Sequence, residues 1–319
     1  MAVTPPIAAA ASPPAAARSQ RRRTPLTRQP GFWGMLFISP WLLGFLIFTA
    51  GPMLTSLYLS FCKYDLHTLQ FVGAKNYEVL LTRDPLFWKS LTNTALYVLF
   101  SVPIGLTGSL LIALLLNQKV KGIALFRTAF YLPSLVPAVA SALVWAWVFH
   151  PDSGILNYAL SKLGIDGPAW LMDPKTALPS LIIMSLWGIG GGRMIIFLAG
   201  LQGISDELYE AAALDGAKGW TIFRNVTLPM LSPTIFFNSV LGIIGSFQVF
   251  TSAYIMTGGG PDNATLMYVL YLYNNAFRFF KLGKASAMAW ILFAILLVFT
   301  VIQFKQASKW VYYEGGEKE

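Results

Sequence analysis

The chain has 319 residues, of which 55% are hydrophobic and only 12% charged. Its mean hydropathy is +0.59, whereas about a quarter of the residues in a soluble domain are charged, so the composition is that of a polytopic membrane protein. The formal charge of +9 does not mark a nucleic-acid partner, because the basic residues are dispersed at the ends of apolar stretches rather than gathered on one soluble face. One cysteine, Cys62, excludes an internal disulfide framework, and two distant histidines, His67 and His150, offer no metal site.

Residues 1–30 form an Ala- and Pro-rich tail with Arg18, Arg21, Arg22, Arg23 and Arg28 and no acid. Such a segment cannot bury a core and is expected to be disordered, acting as a cytoplasmic anchor of topology. The apolar run that follows is too long for the core of a cleaved signal peptide. Residues 31–310 then hold six stretches, each able to cross the ~30 Å of hydrocarbon that takes roughly 20 helical residues. They fall at Phe32 to Phe61, Ser90 to Asn117, Thr128 to Phe149, Ala177 to Ile204, Leu228 to Thr257 and Ala285 to Phe304. Pro40, Pro52, Pro103, Pro133 and Pro137 lie inside them and predict kinks rather than breaks. The expectation is an all-α domain of six transmembrane helices, followed by a short cytoplasmic tail, 311–319.

Lys and Arg set the orientation. Fourteen fall on the side of the N-terminal tail, of Lys119, Lys121 and Arg127, of Arg193, Lys218 and Arg224, and of the C-terminus; nine fall on the other. By the positive-inside rule the first side, with both termini, is cytoplasmic. The opposite loops, Lys63 to Lys89, His150 to Thr176 and Gly258 to Lys284, are longer and could form a small external cap.

The segment 205–228, between the fourth and fifth stretches, is charged and helix-prone. Ser205 can cap a helix, Asp206 and Glu207 suit its positive end, and Gly216 supplies the stop. A second short helix with Trp220 and Phe223 on one side runs to Pro229. Glu210, Ala211, Ala212, Asp215, Gly216, Ala217, Phe223, Leu228, Pro229 and Pro233 together resemble the EAA loop in the membrane subunits of bacterial binding-protein-dependent ABC importers. Two further stretches resemble the carbohydrate importers of that family, the group with the maltose, lactose and glycerol-3-phosphate permeases. One is Phe71 to Tyr77 with Phe87-Trp88 and Leu91 to Thr94; the other is Thr257 to Pro261 with Thr265 and Tyr273 to Phe277. The likeness runs from about Gly31 to Lys309 and is closer to the first than to the second of the two permeases such systems carry.

The resemblance implies a multi-pass subunit of the bacterial cytoplasmic membrane, with segment 205–228 as a cytoplasmic coupling helix docked on an ATPase. It further implies a second permease, two ATPase subunits holding ATP and Mg, an extracytoplasmic solute-binding protein and a carbohydrate cargo. No cofactor is expected in this chain, which is not itself an enzyme: nothing fits the phosphate-binding loop, since Gly283-Lys284-Ala285 lacks the preceding Gly and the hydroxyl residue. An ion-gradient-driven secondary transporter is the alternative, and the absence of Asp and Glu from all six stretches weighs against it.

Asn238, Gly242, Gly245 or Ser246, and Val249 recur at helical spacing on the fifth stretch. They form either a face for a hydroxylated ligand or a small-residue packing seam. The family likeness implies that Gly242, Ser246 and Val249 stand at sugar-contacting positions. Arg193 sits roughly 15 Å inside the fourth stretch, where a charge costs at least ~2.5 kcal/mol. It therefore faces the bundle interior or a wet cavity, either lining the route and favouring an anionic or strongly polar substrate, or pairing with backbone carbonyls or an adjoining subunit.

Overall fold

The computed structural model describes residues 30–312, and these divide into two units at Leu54 and Thr55. The expected basic tail, all but its last residue, lies outside the described residues, as does most of 311–319. The first unit holds α1 (Pro30–Phe45), a π-helical turn (Leu46–Ala50) and the start of α2 (Gly51–Ser60). Its apolar side chains, Phe37 and Phe48 foremost, are exposed, as suits a helix surrounded by lipid or by another subunit.

The second unit opens with an antiparallel hairpin, β1 (Cys62–Tyr64) and β2 (Leu69–Phe71), and a short α3 (Lys75–Thr82). Asn76 Nδ2 donates to the carbonyls of Ser60 and Cys62 at 2.8 and 2.9 Å, fixing this layer. Asp84 then caps α4 (Pro85–Leu116), accepting the amides of Leu86 and Phe87, with Pro85 at the first helical position where no amide is needed. α4 continues without a break through Pro103 for 32 residues, about 48 Å at 1.5 Å per residue.

After α4 come α5 (Ile123–Tyr131), a 3-10 turn at Leu132–Leu135 and α6 (Ala138–Val148). The expected kink at Pro133 and Pro137 is instead a break, with the two halves meeting at 93°. Pro137 forces Val136 into extended backbone (φ −72°, ψ 128°), which no helix can run through. The chain proceeds through α7 (Ile155–Lys162), α8 (Pro174–Leu186) and α9 (Gly192–Gln202). The expected span Ala177 to Ile204 is thus two helices of 13 and 11 residues separated by a glycine-rich turn. The turn nests against α5: a Cβ on Gly190 would strike the Phe130 carbonyl, and one on Gly191 would lie 2.8 Å from Ser134 Cβ. Its Ile189 carbonyl is satisfied by Ser109 Oγ of α4 at 2.7 Å.

Beyond lie α10 (Asp206–Leu214), α11 (Gly219–Ile222), a π-helical turn and α12 (Leu228–Met230), then α13 (Ser232–Phe247), α14 (Thr251–Met256), α15 (Tyr268–Tyr273) and α16 (Leu282–Trp310). Among the described residues four helices are long and apolar enough to cross a membrane, and a fifth passage follows if the bent pair is one span. α4 is the axis, packing on α8, α9, α13 and α15. One core gathers around Phe87, Leu181, Tyr268 and Met288, and another joins Ala113 and Leu116 to Phe197, Leu201 and Leu231.

At the hairpin end, α16 begins against β1. A Cβ on Gly283 would strike the Cys62 carbonyl oxygen and come within 3.2 Å of the Leu59 carbonyl. Both obstacles are backbone and cannot swing away, so Gly283→Ala is expected to destabilise the protein by about 1–3 kcal/mol. A lowered unfolding temperature in detergent measures it, and an unchanged one would show that the hairpin yields. Beside it, Lys284 Nζ lies 2.5 Å from Asp84 Oδ2, which also accepts the Tyr271 hydroxyl at 2.7 Å.

Candidate functional site

Two regions carry the residues singled out in the sequence. The first is the connection around α10. Ser205 Oγ accepts the Glu207 amide at 3.3 Å, and Asp206 and Glu207 occupy the first turn at the positive end of the helix dipole. The C-terminus closes as a Schellman motif. The Gly216 amide donates to Ala213 and the Ala217 amide to Ala212, both at 3.0 Å, with Gly216 at φ +77°. The turn returns the chain into α11, and the Tyr209 hydroxyl meets Thr227 Oγ1 at 3.3 Å, bracing the two arms.

Glu210, Ala211, Asp215 and Gly216 are exposed, while Ala212 and Ala217 are half-buried. Two apolar side chains stand at the tip without cover: Leu214, 89% exposed, and Trp220, 73% exposed with its ring 5.3 Å from that of Phe223. Lys119, from the connection after α4, lies 3.8 Å from Asp206, so two segments that the charge count put on one side share one end of the bundle. Both partners are exposed, and the pair contributes little energy.

The second region is a cavity of about 250 Å³ in the middle of the helices, lined by Tyr97, Ser101, Gly105, Ser185, Arg193, Gly245, Ser246 and Val249. Arg193 reaches it from the first turn of α9, a position created by the break at Gly188 to Gly191. A Cβ at Gly105 would stand 2.9 Å from Arg193 Nη1, and one at Gly242 would stand 3.5 Å from Nη2. The guanidinium therefore lies between two helix backbones, close against α4 at Gly105 and in ordinary van der Waals range of α13 at Gly242.

The structure thus brings together Arg193, Gly245, Ser246 and Val249, with Gly242 beside the guanidinium. Asn238 is apart: it is fully buried two turns back along α13 and does not line the cavity, and neither its Oδ1 nor its Nδ2 has a partner among the described residues. Sequence reading missed α4's contribution. Tyr97, Ser101 and Gly105 recur every four residues, with Ser109 next in register. That stripe of polar and small residues is the signal, hidden in an otherwise apolar helix.

Comparison with known proteins agrees with this architecture. Residues 82–310 match the model of a family described as binding-protein-dependent transport system inner membrane component. YesP of Bacillus subtilis (strain 168), named as a probable ABC transporter permease protein, is 45% identical over 91% of this chain and 95% of its own length. The lactose transport system permease protein LacF of Rhizobium radiobacter is 37% identical over 90% and 98%. A crystal structure of a bacterial ABC transporter involved in the import of the acidic polysaccharide alginate contains a chain that superposes with a TM-score of 0.78. It is 24% identical and covers 89% of this chain and 97% of that one, a likeness that establishes the fold alone.

Proposed function

Since the chain belongs to the family of binding-protein-dependent transport system inner membrane components, we propose that it is one of two permeases lining the path of an ATP-driven saccharide importer. The observation that carries this reading is the α10 connection: a capped helix, closed by Gly216, that presents Leu214 and Trp220 bare at its tip. Exposed apolar side chains held on a rigid polar loop suit a groove on a soluble partner. We assign that partner as one of two separate ATPase subunits, which carry ATP and Mg, and α10 as the coupling helix.

In this reading the membrane is the bacterial cytoplasmic membrane. The α10 end and both termini face the cytoplasm, and the hairpin end faces a solute-binding protein that delivers the cargo. Six passages result when α5 is joined with α6 and α8 with α9, within one transmembrane domain, 31–310. The 250 Å³ cavity is smaller than most ligand pockets, which start near ~300 Å³, so it suits one chain's share of a path completed by the second permease. Arg193, Gly242, Gly245 and Ser246 line or flank that share, while Asn238 lies buried two turns away on α13. A saccharide cargo is supported by relatives such as the lactose permease protein.

Alternating access is the cycle this reading supplies. When the ATPase pair closes, the braced α10 loop moves as a unit, and α9 and α13, to which it is joined at either end, shift against α4. The test is to purify the chain from its native membrane in mild detergent with whatever accompanies it. The expected result is an ATPase whose turnover rises with a saccharide and its binding protein; uptake driven by an ion gradient with no ATPase present would overturn the reading.

A further inference from the structure

Among the described residues no acidic side chain pairs with the Arg193 guanidinium. It makes no hydrogen bond or ion pair among the described residues, so the alternative that it pairs with backbone carbonyls of its own subunit is not realised. It lies between the backbones of α4 and α13, beside Gly105 and Gly242, with its cavity open before it. It leaves the first turn of an 11-residue helix, whose N-terminal partial charge adds to its own. In the same cavity Ser101 Oγ is buried and unpartnered, and Ser185 and Ser246 supply further hydroxyls.

A neutral saccharide uses such a site poorly. Its hydroxyls accept single hydrogen bonds and leave the charge of the half-buried cation unbalanced. A planar oxyanion meets the guanidinium fork with two parallel bonds and cancels its charge. We infer that the saccharide this permease carries bears an oxyanion, a carboxylate or a phosphate, and that Arg193 receives it while Ser101 and Ser246 hold adjacent hydroxyls. The inference rests on the cavity lying on the import path proposed above.

The test uses the assembled importer in liposomes, with its second permease, ATPase pair and binding protein. Uptake is measured for one disaccharide in three forms, neutral, C6-carboxylated and phosphorylated, by wild type, Arg193→Met and Arg193→Lys. Taking the ratio of variant to wild type for each form cancels the selection made by the binding protein. Arg193→Met is expected to reduce uptake of an anionic form roughly tenfold to hundredfold more than it reduces uptake of the neutral form. Arg193→Lys is expected to retain part of the anionic uptake. Whichever anion responds tells carboxylate from phosphate.

Equal ratios for all three forms overturn the inference: near one, Arg193 does not touch the cargo; near zero, it is structural or pairs with an acid of the second permease. Wild-type uptake confined to the neutral form overturns it as well. An assembly that hydrolyses no ATP and imports no saccharide removes the importer reading itself, so the two failures are distinguishable.

Discussion

Gly216→Pro is expected to abolish uptake, by roughly a hundredfold or more, while the protein still reaches the membrane in normal amount. The substitution fails twice over. Proline fixes φ near −65°, whereas Gly216 has φ +77°, and proline lacks the amide that Gly216 donates to Ala213. Both bonds that close α10 are lost, and Leu214 and Trp220 no longer stand in a fixed relation. Because the damage is confined to an exposed loop, the bundle is spared. The assembled complex should keep a basal ATPase rate that loaded binding protein no longer stimulates. Gly216→Ala, which keeps the amide and meets only the left-handed penalty of about 1–2 kcal/mol, should fall between the two. Normal uptake by the proline variant would remove α10 from the coupling role.

The largest effect on stability is expected from Lys284→Met. Asp84 and Lys284 are 8% and 18% exposed in their side chains and 2.5 Å apart. Burial disfavours the charged carboxylate, yet hydrogen bonds from Lys284 and Tyr271 outweigh it and hold the Asp84 carboxyl below its ordinary value. Removing the lysine strands a buried carboxylate, at a cost of about 3 kcal/mol, the low end for such pairs because Lys284 keeps some contact with solvent. Since the native carboxyl titrates lower than the unfolded one, this stabilisation is complete above the ordinary carboxylate range and is lost as pH falls through the lowered value. Wild type and variant should therefore differ fully at pH 7 and converge in strong acid. Adding Asp84→Asn, which removes the charge but can still cap α4, should restore most of the loss. If the double variant unfolds as early as the single one, the stranded charge is not the cause.

What was legible in the sequence was what is decided locally. Ser205, Asp206, Glu207 and Gly216 act on the amides and carbonyls of their own helix, and each stands where its chemistry requires. Two of the expected spans came out differently for reasons hydropathy does not register. Gly188 to Gly192 are apolar enough to pass for span, yet they carry the turn between α8 and α9. Pro137 acts on the residue before it, and spacing from Pro133 gave no hint that the result is a 93° turn. The cavity was half visible. α13 showed its small face, but Tyr97, Ser101 and Gly105 meet Arg193 only because α4 packs on both α9 and α13, a matter of tertiary arrangement. Asn238, in register with that face, is enclosed instead.

The bonds at the head of α4 bear on how the chain is made. Asn93 Nδ2 donates to the carbonyls of Asn263 and Leu266, 170 and 173 residues downstream, and Thr94 Oγ1 accepts the amide of Tyr268, 174 residues on. During synthesis α4 is released into the bilayer long before those partners leave the ribosome, and for that interval its Asn93 amide lacks the carbonyls that satisfy it in the finished fold. A nascent chain of this permease is thus recognisably unfinished until residue 268 has emerged.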